Sequence, residues 1–486
     1  MRFIYIDVDS LRPDHLSCYG YSRKTSPNID SVAEKGMRFH RCYAASSPCV
    51  PARASFMSGR YAINHGAMTH WGPGCDFYYP EGDGHSLSFP FFPRYLREAG
   101  YETITFSSFG DRHHAWWYFA GWTEVHSHTL QEGNENAEEV VDAVLPWLEQ
   151  NGTKKDYFLH IQFWDPHTLY TCPTEYTKQW NQESAPVFPK EETIQKHQKD
   201  SFPRSASFLH TINNVPETMP DKISSRDDFE KLIDGYDGAI RYMDEQIGRI
   251  IKTLKKLGIE EEVAIIISAD HGESLGEHGI YAEHAAATES VHHLPLIMKI
   301  PGVTKQNTVS SALLLNVDVM ATLIDIVGLK KPVGWDGLSF LPLLEAITDE
   351  FRSYLVMDHA LYTCQRAVRD ERWYFIRTYH PGLYAFEKVS LYDMKKDPYQ
   401  QLNVIEQHPE TAKEMDHRLM QWYQIHFHEK RKTLDPMQEV VKTGPWKYVT
   451  LESWVEHLRK NNWIEESVKL EKKFKTEEKR TSVYGQ

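Results

Sequence analysis

Cys49-Val50-Pro51-Ala52-Arg53 brings a thiol, a helix-compatible proline and a guanidinium into one short stretch. Proline suits the first turn of a helix, where its missing N–H is no loss. Cys49 then falls at a helix N-terminus, whose free N–H groups and dipole favour an anion. Arg53, one turn on, can fork onto two oxygens of the same anion. Gly59 closes the run. A lone cysteine beside a helix start is most often a plain buried thiol, so chemistry at Cys49 depends on what other segments bring to it.

Four other places carry groups with chemistry, each where an apolar run ends. Residues 2–8 read as a strand with Asp7 and Asp9 on one face by period two. The 101–106 run exits into Ser107-Ser108-Phe109-Gly110-Asp111-Arg112-His113-His114, and Tyr157 to Phe163 exits into Trp164-Asp165-Pro166-His167. Val263 to Ser268, almost wholly apolar as a central parallel strand should be, exits into Asp270-His271-Gly272-Glu273, with His284 further on. In an open α/β sheet the C-terminal ends of parallel strands share one edge, so these groups can converge. Asp9, Asp270 and a third oxygen make a hard cation site of the kind Ca²⁺ or Mg²⁺ prefers, and His271 shifts the preference toward Mn²⁺. Arg53, His167 and His284 supply positive or proton-donating groups around an anion.

The elements that must position these groups follow the same pattern. Helices are expected over 136–150, where Val140, Val141, Val144 and Leu148 recur at three and four, and over 227–257, where a long apolar stripe ends at Gly258. Residues 170–225 lack periodicity, and an unpatterned segment of that length is expected to be a functional loop or lid. A strand over 294–300 and a helix over 318–327 complete a large unit. From about residue 351 short strands separated by turns point to a smaller antiparallel sheet, followed by a helix at 409–427. Residues 431–486, highly charged and mostly helical, read as a peripheral extension. The expected fold is therefore α/β, with a mostly parallel central sheet flanked by helices and a smaller C-terminal antiparallel-sheet unit. The divisions fall at 1–350, 351–430 and 431–486.

The chain has 486 residues, 54 Lys and Arg against 68 Asp and Glu, and a net charge of −14. That balance argues against nucleic-acid or anionic-membrane binding while leaving room for a local basic pocket. No window approaches the ~18 apolar residues of a membrane span. The six cysteines show neither pairing nor metal-finger spacing, which favours a reducing, cytoplasmic location.

Val8-Asp9-Ser10-Leu11-Arg12-Pro13-Asp14, Thr25-Ser26-Pro27-Asn28-Ile29-Asp30, Cys49-Val50-Pro51-Ala52-Arg53 with Gly59-Arg60-Tyr61, Asp165-Pro166-His167, Tyr236 to Tyr242 and Asp270-His271-Gly272-Glu273 occur in register. Together they resemble the type I sulfatases of the alkaline-phosphatase-like superfamily, over roughly residues 2–345. The resemblance continues through Leu391-Tyr392-Asp393 and Asp397-Pro398. It implies that Cys49 is converted to formylglycine by a formylglycine-generating enzyme, and that the hydrated aldehyde attacks sulfur. It also implies that Asp9, Asp270 and His271 bind one divalent metal with the modified Cys49, Ca²⁺ first and Mg²⁺ or Mn²⁺ as alternatives. Arg53 would orient the aldehyde hydrate. His167 would contact sulfate or protonate the leaving oxygen, and His284 would stand where many members carry a Lys. The implied substrate is a small sulfated molecule, a sulfated sugar first.

Three departures from the family pattern matter. Asp9-Ser10 replaces the usual Asp-Asp, which leaves Asp7 or Ser10 to complete the metal site. Ser107-Ser108-Phe109-Gly110 replaces a Gly-Lys-Trp-His stretch, so Arg112, His113 or His114 would take over the anion contact. His284 in place of Lys suggests a pocket more sensitive to pH. A phosphonate monoester or phosphodiester hydrolase of the same superfamily, and a non-catalytic sulfosugar-binding protein, stay open as alternatives.

Overall fold

The computed structural model describes residues 1–77, 91–127, 133–180, 183–210, 215–429 and 433–483, with side chains in the last helix described as far as Phe474. The apolar runs pair into one large sheet. Its order is Thr308–Ser310, Met37–Tyr43, His293–Lys299, Val263–Ala269, Arg2–Val8, Tyr157–Phe163, Glu102–Phe106 and Glu124–His126. The five strands from Val263–Ala269 to Glu124–His126 are mutually parallel. His293–Lys299 runs antiparallel to both its neighbours, which the apolar run alone did not reveal. Met37–Tyr43 was not anticipated at all. Its sequence, Met-Arg-Phe-His-Arg-Cys-Tyr, interleaves basic side chains that stand on a partly solvated face.

Register carries the site. Val8 pairs with Phe163 on one side and Ala269 on the other, so the residues that follow all leave the sheet at one level. The Asp9 N–H donates to the Phe163 carbonyl at 2.9 Å and the Asp270 N–H to the Val8 carbonyl at 3.3 Å. Helices Pro27–Glu34, Ala137–Asn151 and Arg226–Lys256 pack together, and Cys49–Ser58, Phe92–Glu98 and Asn316–Ile326 form a second group. The long helix starts in a capping box between Ser225 and Asp228 and buries the Phe229-to-Leu254 stripe, so the expected amphipathic helix is found. Among the described residues no helix is long and apolar enough to cross a membrane.

The smaller sheet pairs Leu355–Ala360, Cys364–Arg369, Trp373–His380 and Val389–Asp393 in antiparallel succession. It gains a fifth, parallel strand from far upstream: Ser46 pairs with Asp358 and Ser47 with His359. The residues leading into Cys49 are thus clamped by the C-terminal sheet. Ser47 Oγ lies 2.9 Å from His292 Nε2 and 2.8 Å from His359 Nδ1, all three residues being buried. His292 Nδ1 donates to the Ala44 carbonyl at 2.8 Å. Burial pushes His292 down to about 4, against the Ala44 bond and Glu289, which pull the other way. Its imidazole stays neutral in the fold while the unfolded chain takes up a proton below its ordinary 6.5, so stability is lost as pH falls from 6.5 toward 4. The expected loss is up to about 3 kcal/mol at this residue. Thermal melts across that window check it: the melting temperature should fall within the window, and less steeply in His292→Gln. A flat profile would contradict the assignment.

The charged C-terminal segment is not peripheral. Arg366, buried, holds Asp435 through two 2.9 Å bonds and Asp358 through one of 2.7 Å. Trp454 is buried and donates to the Ser201 carbonyl at 2.8 Å. Lys447 donates to the Trp71 carbonyl at 2.6 Å, and the Tyr448 hydroxyl beside it shares a 2.7 Å bond with His70 Nδ1. Charge composition marked the solvated faces of these helices and hid the few residues that anchor them.

Candidate active site

The helix over Cys49–Ser58 begins at the cysteine itself, with Pro51 still in its first turn and Gly59 in the left-handed conformation closing it. Every residue of the helix is buried. Arg53 projects toward the sheet edge and meets three carboxylates. It bonds Asp7 closely, and its Nη2 lies 3.2 Å from Asp9 and 3.2 Å from Asp270. The Phe109 ring covers the guanidinium at 4.9 Å.

Asp9, Cys49, Asp270 and His271 each present one donor atom, all within 4.8 Å of one another and all buried. Cys49 Sγ lies 3.1 Å from His271 Nε2. His271 Nδ1 donates to the Gly272 carbonyl at 2.8 Å, which fixes the tautomer and leaves the Nε2 lone pair facing the cluster. Asp270 Oδ2 makes no hydrogen bond of good geometry; its approaches are to Arg53 Nη2 at 3.2 Å and His271 Nε2 at 3.6 Å. Asp7 lies outside this cluster: its carboxylate is taken by Arg53 and by His160 Nε2 at 3.1 Å, so it does not complete the set as a ligand. Ser10 is closer, its Oγ donating to Asp9 at 2.9 Å and its N–H reaching Asp270 at 3.3 Å.

The loops holding these groups are pinned from behind. Tyr236, on the long helix, donates its hydroxyl to the Ser10 carbonyl at 2.7 Å and accepts from the Arg12 N–H at 3.0 Å. Arg12 in turn bonds the Glu273 carbonyl and Glu277, tying the two aspartate loops together. Asp237 gathers His15, Tyr21 and Arg23. The Tyr236-to-Tyr242 motif thus serves to position the site and does not touch it.

Charge follows from burial and neighbours. Burial works to raise Asp9, but His167, His271 and Arg53 outweigh it and hold the carboxyl well below its ordinary range. Burial together with Asp9 and Asp7 pushes Asp270 up, against Arg53. His271 is driven well below 6.5 by burial and by His284, so it is a neutral ligand. Burial, Asp9 and Asp270 push the Cys49 thiol up, which leaves no thiolate at neutral pH.

Cys49 also forms part of the floor of a cavity of about 560 Å³, walled by Arg112, His113, Trp164, His167 and His284. Burial disfavours the His284 cation, but Glu283 at 3.4 Å and Glu273 at 3.7 Å outweigh it and raise the group to about 9. His284 therefore keeps its charge at neutral pH, contrary to the expectation of a more pH-sensitive pocket. Burial pushes His167 down to about 4 and His113 to about 3, with Arg112 adding to both. Arg112 lies over the Trp164 ring at 4.7 Å. His114 is exposed and lines a neighbouring cavity, so it is not brought to Cys49. Trp117, Tyr118 and Tyr170 are buried, and none of them lines the cavity over Cys49.

The cavity also takes His70, Arg204, Tyr362 and Tyr448, none of which sequence patterns singled out. Arg204 and Thr171 come from the unpatterned 170–225 segment, where a functional loop was expected. His70 Nδ1 shares a 2.7 Å bond with the Tyr448 hydroxyl, a pairing across most of the chain that no local signal could show.

Comparison with known proteins agrees with this geometry. A model of the C-terminal region of N-sulphoglucosamine sulphohydrolase matches residues 276–425. The chain is 23% identical to N-acetylglucosamine-6-O-sulfatase of Bacteroides thetaiotaomicron, covering 83% of this chain and 82% of that one. It is 26% identical to human iduronate 2-sulfatase over 63% of this chain and 60% of the other. A structure solved with its substrate D-glucosamine-2-N,6-O-disulfate superposes at a TM-score of 0.71, with 20% identity, covering 90% of this chain and 99% of that one. The phosphonate monoester hydrolase of Silicibacter pomeroyi gives 0.67 with 19% identity, covering 88% and 96%, so the fold is common to both chemistries. The Sulfatase family model matches residues 2–329, well over half the chain. The chain therefore belongs to the sulfatase family and is a sulfuric ester hydrolase.

Proposed function

We propose that this sulfatase removes sulfate from a small sulfated sugar, as an O-sulfate ester or a sulfamate, with Cys49 converted to formylglycine as nucleophile. The observation that carries the proposal is the position of Cys49 Sγ, 3.1 Å from His271 Nε2, inside a buried Asp–Asp–His cluster and at the floor of the cavity. Support for a sugar comes from relatives named for N-acetylglucosamine 6-sulfate and iduronate 2-sulfate. A reducing compartment, in which six free cysteines are stable, is part of the same proposal.

The donor set fits one divalent cation, Ca²⁺ first and Mg²⁺ or Mn²⁺ as alternatives. Asp270 Oδ2 makes no hydrogen bond and meets Arg53 Nη2 as an ion pair at 3.2 Å, Asp9 is ionised and His271 is neutral with its lone pair inward. Asp9, Asp270, His271 and the modified Cys49 would hold the ion. When bound, such an ion lowers the pKa of a coordinated hydroxyl and draws negative oxygen toward it.

The remaining steps belong to the chain. Arg53 neutralises the carboxylates and keeps residue 49 oriented from one helical turn away. His284, held between Glu273 and Glu283, supplies the positive charge that a Lys gives many relatives. Burial holds the proton affinity of His167 down against Asp9 and Glu283, which raise it, and an incoming sulfate would add to them. His167 is suited to hand a proton to the leaving oxygen. Arg112 and His113 border the sulfated ring.

A panel of O- and N-sulfated saccharides, an aryl sulfate and a phosphonate monoester tests this, after chelation and refilling with Ca²⁺, Mg²⁺ or Mn²⁺. Sulfated sugars should be turned over best, activity should vanish on chelation, and mass spectrometry should find the aldehyde at residue 49. Preference for the phosphonate, or full activity with an intact thiol, would overturn the proposal.

A further inference from the structure

A second cavity of about 970 Å³ adjoins the first and shares His70, Arg112, His113 and Tyr448 with it. Both volumes lie in the range of ligand pockets. Its wall carries Trp71 and Trp116, which are 44% and 57% exposed. Tryptophan is usually far more buried, so two such rings around one hollow call for an occupant. Trp71 is held ready. Its carbonyl accepts from Lys447 and its ring meets Tyr448 edge-on at 4.6 Å.

The junction is polar. His70 is 4% exposed, its Nδ1 is engaged by Tyr448, and its Nε2 has no partner. His113 stands 4.9 Å away, ring centroid to centroid, and its Nε2 is also without a partner. Both line both cavities. Past the junction the wall adds the carboxylates of Asp76 and of Glu439, the latter paired with Lys442 at 2.9 Å, while the Lys447 ammonium is taken by the Trp71 carbonyl. Flat aromatic faces, unpaired ring nitrogens and the Asp76 carboxylate suit the C–H face and hydroxyls of a sugar, and past Arg112 the lining offers, among the described residues, no uncommitted Arg or Lys to an anion.

Given the sulfated-sugar reading above, we propose that this second cavity binds an uncharged pyranose joined to the sulfated one, so that the substrate is a disaccharide or longer. The sulfated ring occupies the cavity over Cys49, the glycosidic link passes His70 and His113, and the next ring rests between Trp71 and Trp116.

The test takes the monosulfated sugar that the panel above turns over best and compares it with two disaccharides. One carries an uncharged hexose beside the sulfated ring, the other a uronate. The neutral disaccharide should exceed the monosaccharide about tenfold in kcat/KM, the equivalent of one stacked ring. Trp71→Ala and Trp116→Ala should each bring that ratio toward one, and the uronate disaccharide should gain little. Equal turnover of mono- and disaccharide in the unaltered protein would overturn the proposal, as would a ratio that both variants leave intact or a preference for the uronate. Failure of the sulfated-sugar reading looks different: aryl sulfate is hydrolysed and no sulfated sugar is, and the second-ring proposal falls with it.

Discussion

Replacing Cys49 with alanine is expected to cut sulfate ester hydrolysis by about 10⁴-fold or more, the scale on which removal of a covalent nucleophile is felt. The fold should survive. Cys49 is 1% exposed, but its sulfur makes one polar contact, to His271, and alanine is at home in the first turn of a helix. The thiol cannot substitute for the aldehyde, because burial and the flanking Asp9 and Asp270 keep it protonated. The variant should therefore match unmodified protein, in which residue 49 has kept its thiol. Kinetics on an aryl sulfate, with circular dichroism and the mass of the residue 49 peptide, separate the outcomes. A Cys49→Ala protein that keeps a tenth of its activity would show that another group attacks sulfur.

The catalytic edge was legible in the sequence because its parts are local. Asp9, Asp165 to His167 and Asp270-His271 each follow an apolar strand, and parallel pairing with Val8 in register with Phe163 and Ala269 brings them to one level. Cys49 and Arg53 were legible as a helix start. What stayed hidden depends on long-range pairing. Ser46–Ser47 is too short to carry a strand pattern and becomes one only by joining Leu355–Ala360. Tyr448, His70 and Arg204 reach the cavity from segments without periodicity. Asp7 and Asp9 share a face of one strand, yet only Asp9 joins the donor cluster. Arg53 and His160 take Asp7 first, a competition that spacing along the chain cannot express.

Arg53→Ala is expected to be the most damaging change to stability, because it strands three buried carboxylates at once. Arg53 is 1% exposed, and Asp7, Asp9 and Asp270 are all within 4%. Removing one partner of a buried ion pair costs about 3–5 kcal/mol, most of it from the charge left behind. The loss should depend on the cation. In chelator, Asp270, already pushed up beside Asp9, loses the Arg53 charge that opposed the rise and must stand repelled or take a proton, whereas Ca²⁺ held by both restores a counter-charge at that spot. Asp7 gains nothing from Ca²⁺, since it lies outside the cluster of donor atoms. Denaturant unfolding of Arg53→Ala should therefore show the full loss in chelator and a partial loss in Ca²⁺. Adding Asp7→Asn should recover much of the remainder, because a neutral amide can still bond His160, which lies 3.1 Å from Asp7. Equal losses with and without Ca²⁺ would mean that Asp9 and Asp270 do not share an ion. Activity should stay low even in the rescued double variant, by about 10²- to 10³-fold, since the guanidinium that meets Asp9 and Asp270 from the helix of residue 49 is gone.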